Sequence, residues 1–152
     1  MALNVTIYPG YNSIYKEYIK KNYGNIFFRN PGIFTLPSWL YSYGLFNAKI
    51  KFKGIQKISM VLSEFEDKVL MAPSKVLGAI IQYNCQMDFE ALKSFNILKD
   101  QQLFVLSRMH EAVLQIADLY NWEKDGLIQV FQQTHEQIEN DRIPDEFWDV
   151  RI

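Results

Sequence analysis

Residues Asp100–Glu139, DQQLFVLSRMHEAVLQIADLYNWEKDGLIQVFQQTHEQIE, carry apolar side chains at intervals of three and four positions. This spacing is typical of amphipathic α-helices. We predict one helix from an Asp100 N-cap to about Tyr120 and a second over Leu127–Glu139. The short link Asn121–Gly126 favours an antiparallel helical hairpin.

The N-terminal half has the alternating apolar pattern of β-strands instead. The predicted strands are Leu3–Tyr8, a short strand near Ile26–Phe28, Asn47–Lys53, Lys57–Ser63, Val69–Ala72 and Val76–Tyr83. Asn47–Lys53 (NAKIKFK) has the clearest alternation. Gly54 follows it and allows a turn, so we predict an antiparallel hairpin with Lys57–Ser63.

Short helices are predicted at Ile14–Asn22 and, capped by Asp88, at Phe89–Phe95. Between Asn25 and Leu45 the sequence has prolines and glycines among many aromatic residues. This pattern is compatible with either a short helix or a strand. Because strands come first and helices last, we predict an α+β fold, with a mainly antiparallel sheet from the N-terminal half packed against the C-terminal helical hairpin. A length of 152 residues suits a single α+β domain over residues 1–152.

Composition narrows the class of protein. Apolar residues make up 49% and charged residues 22% of the chain, which is typical of globular domains. The single cysteine, Cys85, excludes an intrachain disulfide and fits a reducing compartment. The first residues lack a signal-peptide pattern, and no apolar run has the length of a membrane span. We therefore expect a cytoplasmic protein with no membrane partner.

Charge is divided unevenly along the chain. Residues 1–85 hold 10 Lys+Arg and 4 Asp+Glu, whereas residues 86–152 hold 6 and 13, giving +6 and −7. Such a division indicates an interaction surface if the halves stay apart in space. The alternative is that the halves interleave and their charges mix.

Few residues suggest a catalytic or metal-binding motif. His110 begins a zinc-like H-E-x-x-H motif, but Leu114 stands where the second histidine belongs. His135 and Glu139 lie one helical turn apart and offer too few ligands for a metal. Cys85 lacks a nucleophile signature, and no phosphate-binding loop occurs. We expect a non-enzymatic protein with no cofactor, metal or small-molecule substrate; the alternative is an enzyme with an unrecognised site.

A row of lysines gives an alternative function. Lys49, Lys51 and Lys53 share one face of the predicted strand, and Lys57 lies just across the turn. Lysines near aromatic residues are typical of sheets that bind single-stranded nucleic acid. The slightly negative net charge favours instead a solvated strand whose lysines prevent edge pairing. A nucleic-acid-binding module on these four lysines stays the alternative.

The C-terminal segment combines carboxylates with two large aromatics. The residues predicted to bind a partner are Glu136, Glu139, Asp141, Asp145, Glu146, Phe147, Trp148 and Asp149. Carboxylates accelerate and orient the encounter with a basic protein, while a buried aromatic anchor supplies affinity. The alternative is that Phe147 and Trp148 cover the protein's own core.

Residues Arg108–Ile138 resemble the C-terminal helical hairpins of small bacterial immunity proteins from polymorphic-toxin and contact-dependent growth inhibition systems. The shared features are a helix ending in Leu-Tyr-Asn-Trp, at Leu119–Trp122, and a second helix that contains Phe131. The resemblance covers about a fifth of the chain. It implies a cytoplasmic, non-enzymatic antitoxin that binds one cognate toxin domain tightly. Many such toxins are basic nucleases, whose active site an acidic surface would cover.

Overall fold

The computed structural model describes residues 4–8, 17, 21, 31–50, 52, 54–72 and 80–144. These residues form four strands, one 3-10 turn and four helices. The strands are β1 (Asn4–Tyr8), β2 (Lys57–Ser63), β3 (Lys68–Met71) and β4 (Ile80–Gln86). The helices are α1 (Thr35–Asn47), α2 (Phe89–Ser94), α3 (Leu98–Leu119) and α4 (Asp125–Glu139), and the 3-10 turn is Pro31–Ile33.

The α+β class is confirmed, with the sheet in the N-terminal half and the helical hairpin α3–α4 in the C-terminal half. The sheet, however, is mixed rather than mainly antiparallel. Its order is β1-β2-β4-β3, with β1–β2 and β2–β4 parallel and β3–β4 antiparallel. Parallel neighbours require a crossover connection, and α1 lies in the connection between β1 and β2. The alternation within one strand does not reveal this direction.

The strand predicted at Asn47–Lys53 is wrong. Asn47 is the last residue of α1, and Lys49 follows with φ of 58°. The N–H of Ile50 donates to the Leu45 carbonyl at 3.0 Å, which is the C-terminal hydrogen bond of a Schellman motif. Phe52 forms only an isolated bridge with Ile55, so the predicted hairpin is absent from these described residues.

The burial of two side chains explains why Asn47–Lys53 has the alternating pattern of a strand. Ile50 is partly buried against the core, and the Phe52 ring stacks on Trp122 with ring centroids 4.0 Å apart. Two apolar side chains two residues apart therefore face inward from a turn. Lys51 and Lys53 lie outside the described residues, as do Ile26–Phe28 and all of Ile14–Asn22 except Glu17 and Lys21, which are helical.

The helix boundaries near the C-terminus agree closely with the sequence pattern. Asp88 caps α2, since its Oδ1 accepts a hydrogen bond from the N–H of Ala91 at 3.0 Å. The predicted Asp100 cap is wrong, because α3 already begins at Leu98 after an Ile97 N-cap. Asp100 lies in the first turn instead, where a carboxylate interacts favourably with the helix dipole.

The main core lies between one face of the sheet and the helices. The sheet contributes three pairs of residues in register: Ile58 and Ile81, Met60 and Tyr83, Leu62 and Cys85. From the helices come fully buried residues such as Leu106, Val113, Ile116 and Leu127. Six of the seven residues of β2 are buried, as expected for a central parallel strand.

Helix α1 lies along the outer edge of β1. The Ser38 hydroxyl donates to the Val5 carbonyl at 2.6 Å, and the Ser42 hydroxyl oxygen accepts from the Val5 N–H at 2.9 Å. The helix therefore supplies hydrogen-bond partners to an edge that would otherwise be open to pairing. Pro37 is compatible with α1 because it occupies the first turn, where the N–H groups have no partner within the helix.

Gly44 sets the distance between α1 and α4. A Cβ atom at this position would lie 2.8 Å from Val130 Cγ1, and a valine in a helix has little rotamer freedom to move away. We expect Gly44→Ala to lower the free energy of unfolding by about 1–2 kcal/mol, despite alanine's better helix propensity. Urea unfolding followed by circular dichroism measures this change.

Gly126→Ala is the matched control for that substitution. Its added Cβ would meet Ile50 Cδ1 at 2.7 Å, which is the far end of a flexible side chain. We expect this variant to be as stable as the wild type or slightly more stable. Equal stability of both alanine variants would contradict the tight crossing of α1 and α4.

Candidate functional site

Three of the predicted partner-binding carboxylates gather at the C-terminal end of α4. Glu136 and Glu139 lie in its last turn, and Asp141 lies just beyond it. Asp145, Glu146, Phe147, Trp148 and Asp149 lie outside the described residues. Their role stays a prediction from the sequence.

Each of these three carboxylates has a basic neighbour near the surface. Glu136 Oε1 accepts from Arg142 Nη1 at 2.9 Å, Glu139 Oε2 lies 3.1 Å from His135 Nδ1, and Asp141 Oδ2 accepts from Lys99 Nζ at 2.8 Å. The Arg142 side chain is 72% exposed and that of Asp141 is 80% exposed. Exposed ion pairs of this kind contribute little to stability, so the cations of a binding partner can take the place of these basic neighbours.

Asp141 adopts a backbone conformation that favours glycine. Its φ is 55°, its N–H donates to the Ile138 carbonyl, and the next N–H, of Arg142, donates to the Gln137 carbonyl at 2.8 Å. This is the Schellman end seen in α1, and α3 ends in the same way with Asn121 at φ of 57°. Asp141 therefore occupies the position where helices most often carry glycine.

A cavity of about 450 Å³ lies between α1 and α4. It reaches Gln137, which is in the part of α4 that also carries the carboxylates. Its lining residues are Tyr43, Gly44, Asn47, Ala48, Gln133, Gln137 and Pro144. Gly44 and Ala48, one turn apart, leave the space open, and amide side chains offer both donors and acceptors. Sequence reasoning missed this groove; the small residues at four-residue spacing are the signal for it.

Two of the four lysines of the alternative function lie among the described residues. Lys49 lies in the turn after α1, and Lys57 begins β2 half-buried. Lys51 and Lys53 are outside the described residues. Lys49 therefore does not lie on a strand, and nucleic-acid binding by the four lysines stays a prediction from the sequence.

His110 belongs to a buried contact between three helices. Its Nδ1 forms a hydrogen bond with the Tyr41 hydroxyl at 2.9 Å, and its ring stacks on Phe131 with centroids 4.1 Å apart. Burial lowers the pKa of His110 to about 4 and raises that of Tyr41 far above its usual value. At neutral pH a neutral imidazole and a neutral phenol therefore share this hydrogen bond within the core.

Cys85 lies beside a polar network between the sheet and α3. Burial raises the pKa of its thiol to about 12, so the thiolate needed for nucleophilic chemistry is scarce at neutral pH. Nearby, Asp67 Oδ1 accepts from Arg108 Nη2 and from the Gln86 N–H, and Arg108 Nε donates to the Gln86 carbonyl at 2.6 Å. This network joins the β2–β3 loop to α3.

In the part of the chain that the structure describes, no three His, Cys, Asp or Glu side chains converge as metal ligands. The described helices also include none with the length and apolarity of a bilayer span.

Comparison with other proteins gives no family assignment. Neither a protein-family model nor a curated protein nor a solved structure matches this chain significantly. Function is therefore inferred from the residues of the chain and their geometry.

Proposed function

We propose that this chain is a non-enzymatic protein-binding module of the cytoplasm, an immunity protein that neutralises a cognate toxin by tight stoichiometric binding. The acidic C-terminal surface would face a basic region of the toxin, such as the nucleic-acid-binding face of a nuclease. The hairpin resemblance and the −7 charge of residues 86–152 support this function.

The observation that carries the proposal is that Glu136, Glu139 and Asp141 lie at a helix end where negative charge lowers stability. The C-terminal end of a helix bears partial negative charge, so each carboxylate there is unfavourable by about 0.3–1 kcal/mol. The last turn of α4 contains no basic residue of its own; the Lys99 ammonium that donates to the Glu139 carbonyl there comes from α3. Asp141 also takes the left-handed conformation. Residues that oppose stability locally are typical of functional surfaces.

The state of the reactive side chains supports a binding role over catalysis. His110 is buried with its Nδ1 engaged by Tyr41, and Cys85 is buried with a raised pKa. Catalytic groups need pKa values near the working pH and access to a substrate. Neither residue meets both needs.

Asp141→Gly tests the proposal by separating stability from binding. Glycine relieves the left-handed backbone, and the exposed ion pair with Lys99 that it removes contributes little, so we expect the variant to be as stable as the wild type or more stable by up to about 1 kcal/mol. We expect the same variant to bind its partner about three- to ten-fold more weakly, mainly through slower association. The partner recovered with the wild-type chain from native cells serves in biolayer interferometry, and thermal melting reports stability.

Asn121→Gly is the control, because Asn121 has the same backbone conformation at the end of α3. It should gain similar stability and keep wild-type affinity. Unchanged affinity in Asp141→Gly would remove the C-terminal end of α4 from the binding surface.

A further inference from the structure

The groove between α1 and α4 lies beside the point where the two helices cross. At the crossing itself there is no free space, since a Cβ atom on Gly44 would lie 2.8 Å from Val130 Cγ1. Beside it, a volume of about 450 Å³ is lined by residues of α1 and its C-cap on one side and by Gln133 and Gln137 of α4 on the other. Ala48 and Gln133 are exposed, so this groove is open to solvent.

Side-chain amides on both walls of the groove are unused. Within the described ranges, the amides of three lining residues have no hydrogen-bond partner, namely Asn47, Gln133 and Gln137. Elsewhere in the chain, Asn84 and Gln86 use their amides to hold backbone carbonyls. Because each amide both donates and accepts, the groove presents free donors and free acceptors side by side.

The charges around the groove narrow the class of ligand. Its described lining carries no charged side chain, so a charged group placed inside would have no counter-charge there. A neutral polar group, in contrast, is satisfied by amides. Pockets for small molecules are mostly apolar and enclose most of the ligand, whereas this groove is open and lined by amides. These features favour a neutral, hydrogen-bonding chain that is also held by contacts outside the groove.

The spacing of the two glutamines matches an extended peptide. Gln133 and Gln137 are four residues apart on α4, which is about 6 Å along the helix. Peptide groups that point to the same edge of an extended chain are two residues apart, or about 6.4–6.8 Å. Each glutamine can therefore pair with one peptide group of that edge. Asn47, on the α1 side of the groove, can pair with a peptide group of the opposite edge.

We propose that this groove binds an extended, basic segment of the protein partner, whose main chain pairs with Asn47, Gln133 and Gln137. Glu136, which directly precedes Gln137 and pairs with the exposed Arg142, would receive a lysine or arginine of that segment. Carboxylates at this end of α4 repel nucleic-acid phosphates. The inference rests on the proposed function, since it assumes a protein partner, and it specifies the part of the partner that this surface recognises.

Photo-crosslinking in native cells tests the occupant of the groove. The chain carries p-benzoyl-phenylalanine at position 133 or, as a control, at position 119, since Leu119 is 62% exposed at the end of α3. We expect an adduct from position 133 that mass spectrometry assigns to one segment of a protein partner containing lysines or arginines, and no equivalent adduct from position 119. An adduct within the same chain, an adduct with a second copy of it, or no adduct from position 133 would overturn the proposal.

Affinity measurements with the partner recovered from the wild-type complex then separate the two proposals. We expect the double variant Gln133→Met and Gln137→Met to bind about ten-fold more weakly, because methionine keeps the length of the side chain but not its hydrogen bonds. Ala48→Leu, which fills the groove without changing its charge, should weaken binding about five-fold or more. Thermal melting checks that each variant folds.

Gln129→Met is the matched control, because Gln129 is exposed on α4 one turn before Gln133 and does not line the groove. We expect its affinity to stay within about two-fold of the wild type. A complex that tolerates both groove variants overturns the groove contact alone. Absence of any stoichiometric protein complex with the wild type overturns the proposed function and the groove contact together.

Discussion

Arg108→Met is expected to lower the free energy of unfolding by about 3 kcal/mol, since it removes the cation from a largely buried ion pair. The Arg108 and Asp67 side chains are 18% and 15% exposed. Without the guanidinium, the Asp67 carboxylate keeps the Gln86 N–H but loses its charge partner, and the Gln86 carbonyl loses its bond from Nε. Urea unfolding at pH 7 measures the effect.

Arg142→Met is the control for this substitution, because Arg142 pairs with Glu136 near the surface. We expect a change below about 0.5 kcal/mol there. The double variant Arg108→Met with Asp67→Asn should lose less than the sum of the two single variants, since it no longer leaves one charge alone. A change of similar, small size in Arg108→Met and Arg142→Met would show that the network does not hold the loop to α3.

Acid is expected to destabilise the protein through His110. The pKa of this residue is about 4 in the folded chain and about 6.5 when it is unfolded. Between these values the unfolded chain binds more protons, so stability falls as the pH is lowered from about 6.5 to about 4. Since one pKa unit corresponds to about 1.4 kcal/mol, the full loss from His110 is about 3 kcal/mol.

His110→Gln removes this titration while keeping a polar side chain of similar length. We expect its free energy of unfolding to depend less on pH between about 4 and 6.5 than that of the wild type, measured by urea unfolding at several pH values. His135→Gln controls for the other histidine, and NMR titration of the His110 ring reports its pKa directly. Identical pH dependence in His110→Gln and the wild type would mean that protonation of His110 does not lower the free energy of unfolding.

Much of the helical half could be predicted because each helix carries its own periodic apolar face. The α3–α4 hairpin, α2 and the Asp88 cap follow from residues close together in the sequence. The direction of the strands could not be predicted, since it depends on which strands pair across the chain. The β1 edge likewise depends on Ser38 and Ser42, whose bonds to Val5 span more than thirty positions.

The candidate site was predicted less completely than the fold. Glu136, Glu139 and Asp141 stand out as charges at the end of the predicted helix, but the left-handed conformation of Asp141 and its ion pair with Lys99 are seen only in the structure. The loop between β2 and β3 does not stand out in the sequence, because the hydrogen bonds that hold it come from the distant residues Asn84 and Arg108. Local patterns identify residue types, whereas long-range hydrogen bonds decide which of them are held in place.

The most direct test of the central claim is the composition of the complex that this chain forms in its native cells. The tagged chain is purified with and without nuclease treatment, and each sample is analysed by native mass spectrometry. We predict a single protein partner at one-to-one stoichiometry, with a basic surface and an affinity that weakens with salt. Recovery of nucleic acid that nuclease removes, or of the free chain alone, would contradict the protein-binding function.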